Sequence, residues 1–170
     1  MLATHFDAEK RYSELRKQAL SATMSVLDNK ITLSEINSNA LNATRLWNKS
    51  QIRIKDWDWF EGYSCFKFRY PKRFEMALWH SNKLIGITMG RPTFYGSAMR
   101  LDIIEASPSD LGDRPSIFES VLVAYGIYAR LINAKQIRIM NPVNDAVKSY
   151  YESFGYKYIV KGDYLFKDIY

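Results

Sequence analysis

Two periods of apolar and polar residues run along this chain, and the change from one to the other divides it. Residues 7–28 place Leu15, Ala19, Leu20, Met24 and Leu27 near helical spacing, with Asp7 positioned to cap the helix. In ITLSEI, Thr32 and Glu35 are spaced as a capping box and Ile31 and Ile36 as the hydrophobic staple around it, which predicts a second helix from about Leu33 to Asn48. From Cys65 to Tyr70, Phe66, Phe68 and Tyr70 alternate with Lys67 and Arg69. That is the period of a strand, which Pro71 would end or hold at an edge. RFEMALWH, SNK and LIGITMG then read as a hairpin with a polar turn, and AMRLDIIEAS as a further strand.

The helical period returns from about Ser116 to Asn133, carried by Ile117, Val121, Tyr125, Tyr128 and Ile132, with Ser116 and Glu119 at capping-box spacing. QIRIM is a short strand. A last helix runs from about Asp145 to Phe154, with Asn144 as N-cap and Gly155 placed for the left-handed turn that ends it. YKYIV and DYLFKDIY close the chain as an antiparallel pair around KGD. The order predicts an α/β fold with a mixed sheet flanked by helices and two helices at the N-terminus.

Composition narrows the class. The 170 residues, 47% of them apolar, are of single-domain size and suit one globular domain, read as an N-terminal part (1–72) and a core (73–170). No apolar run approaches the roughly 20 residues of a membrane helix. The first ten residues lack a basic-then-apolar export pattern, and the one cysteine, Cys65, cannot form an internal disulfide, so the expected location is cytoplasmic. His5 and His80 with one cysteine give no metal-ligand spacing, so no metal is expected. The net charge of +6 leans to the front half and suits an anionic partner, although a soluble surface needs no more explanation than that.

NDAVKSYYESFGY, residues 144–156, carries a sharper pattern: Asn, then an adjacent tyrosine pair, then Glu, then Gly–aromatic. With the element order from Arg73 to Tyr170, it resembles the GNAT superfamily of acyl-CoA-dependent N-acetyltransferases. The resemblance implies that acetyl-CoA is the co-substrate and that Tyr151 is the acid that protonates the leaving thiolate. It places Asn144 near the coenzyme's pantetheine arm, and Ala106 and Ser107 at the coenzyme through their backbone. It also places a carboxylate of the family at Asp102; the general base is Asp102 or Glu105, which a regular strand would face to opposite sides. Packing alone would also account for Tyr150 and Tyr151, since both can share a stripe with Val147.

The family's pyrophosphate loop is degenerate here. In SPSDLGDRPSIFES, Leu111 takes the place of its Arg or Gln, Arg114 that of the first glycine and Ser116 that of the last; only Gly112 survives between them. Pro115 removes one N–H from the cradle, and Asp110 and Asp113 add negative charge. Gly112, Arg114 and Ser116 are the coenzyme residues this loop offers, with helix-start N–H groups at Ser116, Ile117 and Phe118.

Two functions stay open on the sequence. One is direct acetyl transfer to an amine, whether a small molecule, a protein or an aminoacyl-tRNA. The other is a non-catalytic GNAT-like binding or regulatory module that contacts nucleic acid through the aromatic and basic stretch Trp57 to Arg73. The closing strands offer an edge for a homodimer.

Overall fold

The computed structural model describes residues 4–27, 30–54 and 57–170. Its centre is a seven-stranded sheet in the order β1-β2-β3-β4-β5-β7-β6, formed by Ile31–Ser34, Phe74–His80, Lys83–Pro92, Ala98–Ala106, Gln136–Met140, Lys157–Ile159 and Tyr164–Asp168 as β1 to β7. Only β4 and β5 run parallel; every other neighbour is antiparallel. Helices α1 (His5–Met24) and α4 (Phe118–Leu131) cover one face, and α2 (Ser38–Thr44) and α3 (Trp59–Arg69) cover the other. The fold is the mixed, mainly antiparallel α/β layer structure expected. No helix among the described residues is long and apolar enough to cross a membrane.

The two faces explain the unbroken apolar runs of β2 and β3. Phe74, Met76, Leu78 and Ile85 pack under α1 and α4, while Ala77, Ile87 and Met89 pack under α2 and α3. A strand buried on both faces has no polar face to show. The β2–β3 hairpin closes on two residues, Ser81 and Asn82, both at left-handed φ (49° and 61°), as a tight antiparallel turn requires.

Four local expectations are corrected. Helix α1 is capped by Thr4, with Asp7 as the reciprocal partner of its capping box. The Thr32–Glu35 spacing caps nothing: Ile31–Ser34 pairs with β2, Asn37 is the N-cap of a shorter α2, and a 3-10 turn, Arg45–Lys49, replaces the rest of that helix. The tertiary partners decide this, because Glu35 ion-pairs with Arg16 at 3.1 Å and the Ile36 N–H donates to the Glu75 carboxylate at 3.0 Å. The alternating stretch at 65–70 is the second half of α3. Asp58 caps that helix through the N–H groups of Phe60 and Glu61, and Trp59 and Tyr63, four apart, form its buried stripe. Helix α4 starts at Phe118 with Ile117 as N-cap, and neither Ser116 nor any other side chain caps it.

The predicted ends of α5 (Asp145–Glu152) do form. Asn144 accepts from the Val147 N–H at 2.9 Å. Past the helix, Gly155 (φ +86°) donates to Glu152 and Tyr156 donates to Tyr151, the Schellman pattern. Of the closing strands, β7 is flanked on both sides, so the open edge belongs to the three-residue β6.

A buried ionic network joins α1, β2 and α3. Arg73 donates to Glu75 at 2.7 Å, to Glu9 at 2.7 Å and to the carbonyls of Lys67 and Tyr70; Arg16 donates to Glu9, Glu35, Pro71 and Arg73. Removing one member leaves an uncompensated buried charge. Glu75→Ala is therefore expected to cost about 3–5 kcal/mol of unfolding free energy in urea titration. Lys17→Ala, which removes the exposed pair with Glu14, is expected to cost under about 1 kcal/mol.

Candidate functional site

The site begins where β4 and β5 part. Their pairing runs only from Ala98–Gln136 to Leu101–Ile139, so Asp102 to Ala106 have β3 on one side and no strand on the other. β4 also carries an extra residue: Met89 faces Ile103 and Gly90 faces Leu101, which leaves Asp102 bulged out of the ladder. The bulge changes the phase of the strand. Asp102 and Glu105, expected on opposite faces, both meet groups on the side of α2 and α3.

Their surroundings differ. Asp102 accepts from Arg100 Nε at 2.9 Å, while its Oδ2 is fully buried and lacks a hydrogen bond. Burial raises its pKa above the ordinary carboxylate range, against the pull of Arg100 and Arg91. Glu105 accepts from Arg53 Nε at 2.6 Å, Arg53 Nη2 at 3.2 Å and Trp59 Nε1 at 2.7 Å. Of about four lone-pair directions on a carboxylate, one on Oε1 remains.

Two cavities share Arg53. One of about 290 Å³ is lined by Glu105, Ala106, Ser107, Arg114 and Val143, with Arg53 and Ile54 on its far wall. The other, about 700 Å³, shares Arg53 and Ile54 and is otherwise built from Thr44 to Ser50 and Trp57 to Phe60. The smaller cavity lies beyond the C-terminal ends of the parallel pair, where open α/β sheets receive ligands.

Four of the residues expected at the coenzyme or as base therefore line one cavity: Glu105, Ala106, Ser107 and Arg114. The Ser107 N–H is taken by the Ile85 carbonyl at 2.9 Å, so Ser107 cannot offer it to a ligand. In an antiparallel ladder the next amide points the other way, which turns the Ala106 N–H toward the gap left by β5. The Ser107 hydroxyl is fully buried without a hydrogen-bond partner. Arg114 folds back to donate through Nε to the Ser107 carbonyl at 2.7 Å.

None of the remaining expected residues, Tyr151 included, lines that cavity. Asn144 follows Val143, but its side-chain oxygen is committed to capping α5. Gly112 takes φ +120°, and Lys83, which donates to the Leu111 carbonyl, would crowd any Cβ there. Ser116 precedes the uncapped start of α4. Asp110 does not face the cavity as a free charge: it accepts from the Ser50 hydroxyl at 2.7 Å and the Gln51 N–H at 2.8 Å, which lowers its pKa. Asp102 lines neither cavity.

Tyr151 is buried with its ring 4.7 Å from that of Phe118, the first residue of α4, while Tyr150 is 44% exposed. Burial, with a smaller contribution from Tyr150, pushes the Tyr151 hydroxyl up to about 12. No protein group among the described residues bonds that hydroxyl, yet the fully buried unpartnered atoms are Trp57 Nε1, Asp102 Oδ2 and Ser107 Oγ, so it is not sealed off as they are.

Arg53 and Trp59 were not singled out by sequence. Asp58 and Glu61 stand at capping-box spacing, a readable signal that would have placed Trp59 on a helix. Nothing around Arg53 marks it. The aromatic and basic stretch does not form a stacking surface in its first half: Trp59 and Tyr63 point inward, and Phe68 alone among the α3 phenylalanines is widely exposed. Among the described residues no three His, Cys, Asp or Glu side chains converge as a metal site.

No protein-family model and no curated protein matches the sequence. Solved structures do match. Ard1 from Thermoplasma volcanium aligns at 12% identity and TM-score 0.60, over 83% of this chain and 99% of its own. The ribosomal-protein-S18-alanine N-acetyltransferase from Escherichia coli aligns at 12% identity and TM-score 0.59, over 82% and 94%. The PaiA N-acetyltransferase from Thermoplasma acidophilum, solved in complex with coenzyme A, aligns at 14% identity and TM-score 0.55, over 82% and 99%.

The raised Tyr151 pKa has a direct consequence. An unfolded tyrosine loses its proton near pH 10, before the folded one does, so the folded state binds more protons between about pH 10 and 12 and stability falls across that window. Urea midpoints at pH 9 and pH 11 are expected to show this fall, and Tyr151→Phe is expected to reduce it.

Proposed function

Because this chain has the fold of the GNAT acetyltransferases, we propose that it is an N-acetyltransferase that moves acetyl from acetyl-CoA to an amine by direct attack. The observation that carries the reading is a pair of cavities that share Arg53, one of them lined by Glu105 on the side of β4 that β5 has left. One cavity suits the coenzyme and the other the acceptor.

The residues of the smaller cavity fit acetyl-CoA. An amide N–H at Ala106 awaits an acceptor atom, and α4 begins without a side-chain cap, so its first N–H groups are free for an anion. Pro115 subtracts one donor, but the charge of Asp110 is already held by Ser50 and Gln51. Bound there, acetyl-CoA supplies an acetyl group activated as a thioester.

The chain's own groups do the rest. The Ala106 N–H is aimed to polarise the thioester carbonyl. The amine nitrogen forms the new C–N bond as the C–S bond breaks. Glu105 Oε1 takes the amine proton on its remaining lone pair, directly or through a water, while Arg53 and Trp59 hold the carboxylate in place. Tyr151 keeps its proton through the neutral range and gives it to the leaving sulfur. Asp102, bulged and away from both cavities, takes no part in this reading.

Titration calorimetry with acetyl-CoA tests the reading. Binding is expected for the wild type and for Tyr151→Phe, with turnover of an accepted amine reduced by roughly 10²–10⁴-fold in the variant. Coenzyme at about 100 times its dissociation constant is expected to add about 2.7 kcal/mol of stability. No binding at millimolar coenzyme would overturn the enzyme and leave the non-catalytic module.

Ser107→Ala separates a coenzyme contact from a structural role. Removing a buried hydroxyl that bonds nothing is expected to leave the unliganded protein as stable or more so, read by thermal unfolding. Coenzyme affinity is expected to stay unchanged, because the hydroxyl has no surface to offer a ligand.

A further inference from the structure

A further cavity lies at the opposite end of the sheet from the candidate site, and its chemistry is independent of the acetyltransferase reading. The strand registers bring together there the start of β2, the end of β3 and the starts of β4 and β5. At about 3.3 Å per residue, the length of β4 sets this end roughly 26 Å from Ala106. The cavity measures about 310 Å³. Its lining includes Phe94 and Tyr95 of the loop after β3, Tyr12 of α1, Lys72 before β2 and Asn133 after α4, and it holds no carboxylate among the described residues.

Two cations converge on the Tyr12 ring: the Arg11 guanidinium lies 5.0 Å from its centroid and the Lys72 ammonium 5.7 Å. Neither is within ion-pair distance of a carboxylate among the described residues. Asp7 and Glu14, the acids one turn from Arg11 on α1, bond Thr4 and Lys17, and Glu9 belongs to the network of Arg16 and Arg73. Like charges brought to one ring repel each other, and an anion beside them relieves both. Arg69 at the end of α3 and Lys135 before β5 extend the positive charge to either side. The carboxylate that the registers place at this end is Asp168 of β7, which accepts from the Gln136 side chain at 3.0 Å.

The rings beside these cations are held out in water. Phe94 and Tyr95 are 94% and 91% exposed and stand perpendicular to each other with centroids 5.0 Å apart. The loop beneath them is closed by its own bonds. The Gly96 N–H donates to the Thr93 carbonyl at 2.9 Å, with Gly96 at φ +71°, and the Ala98 N–H donates to the Thr93 hydroxyl at 3.1 Å. A turn fixed this way cannot fold its rings back onto the core.

We infer that this end of the sheet binds single-stranded nucleic acid, with a base stacked on Phe94 or Tyr95 and its phosphate at Lys72 and Arg11. Exposed rings supply stacking and the unpaired cations supply phosphate contacts. The cations spread from β2 to β5, about 14 Å at roughly 4.8 Å per strand, which suits a run of phosphates better than one. A bilayer fits less well: it takes up a convex apolar tip, but it cannot fill a cavity that rings and an ammonium line together. The second half of the stretch Trp57 to Arg73 thus finds its stacking partners on the β3–β4 loop.

Fluorescence anisotropy with a labelled oligouridylate of about 12 nucleotides tests the inference. Binding is expected at low salt, with log affinity falling against log salt by about 0.7 for each phosphate held. The double variant Phe94→Ala, Tyr95→Ala is expected to weaken binding roughly tenfold and leave the salt slope as it was. Lys72→Gln and Arg11→Gln are each expected to reduce the slope by about 0.7. All four side chains are exposed, so thermal unfolding and acetyl-CoA affinity are expected to stay unchanged in these variants, which keeps the two sites distinguishable. Inorganic polyphosphate of matching charge is the control without rings, and vesicles of phosphatidylcholine and phosphatidylserine are the membrane control. No binding at about 100 µM protein, equally tight binding of polyphosphate, tighter binding to the vesicles, or an affinity untouched by the ring variant would each overturn the inference.

Discussion

Arg73 and Glu75 lie at the start of β2 with almost no access to water, and the N-terminal third of the molecule is arranged around them. A buried charge costs several kcal/mol unless its partners are complete. Completing them requires Glu9 from α1, the Ile36 N–H before α2, and the carbonyls of Lys67 and Tyr70 at the end of α3. Arg16 adds Glu35 and the Pro71 carbonyl to the same set. Three segments, 9–16, 35–36 and 67–75, are thus drawn to one point, and each must arrive at the right height on the sheet for the others to be satisfied. Tyr63 adds a bond to the Ile36 carbonyl at 3.1 Å, which ties α3 to the entry of α2.

That arrangement holds the larger cavity open. Helix α3 begins at Trp59 and the 3-10 turn ends at Lys49, and the walls of the cavity come from these two segments and the chain between them. Trp59 has a double role: its ring is buried in the core under α2 and α3, and its N–H reaches Glu105 on β4. The acceptor side of the proposed site is therefore built on the core rather than laid over it.

The coenzyme side of the proposed site depends on a different constraint. Two parallel strands share a ladder only while their directions agree, and β4 leaves β5 after Leu101, just where an extra residue enters its ladder with β3. A bulge bends the strand that carries it and turns successive side chains out of strict alternation. Glu105, Ala106 and Ser107 lie beyond that point, exposed to the gap on one side and paired with β3 on the other. The smaller cavity opens here, and Pro108, Ser109 and Arg114 of the loop after β4 line it.

The sequence by itself determined the β2–β3 hairpin, the strands β4 to β7, helix α4 and the α5 segment with both of its ends. Their signals are local: a two-residue turn, continuous apolar runs, Asn144 and Gly155 at fixed distances from the helix they bound. It also named Glu105, Ala106, Ser107 and Arg114 as site candidates, and the fold brings these four to one cavity. Where the reading went astray, the residues answer to partners far away. Thr32 and Glu35 have the spacing of a helix cap, but Ile31–Ser34 finds an unpaired strand edge and Glu35 finds Arg16. Phe66, Phe68 and Tyr70 alternate like a strand, but Trp59 and Tyr63 are what the core buries. The bulge at Asp102, and the reach of Arg53 across 52 residues to the Glu105 carboxylate, leave no mark in the local pattern. Tertiary structure decided these, because a buried charge or an open strand edge is satisfied by whatever group packing brings to it, and periodicity along the chain carries no record of which group that will be.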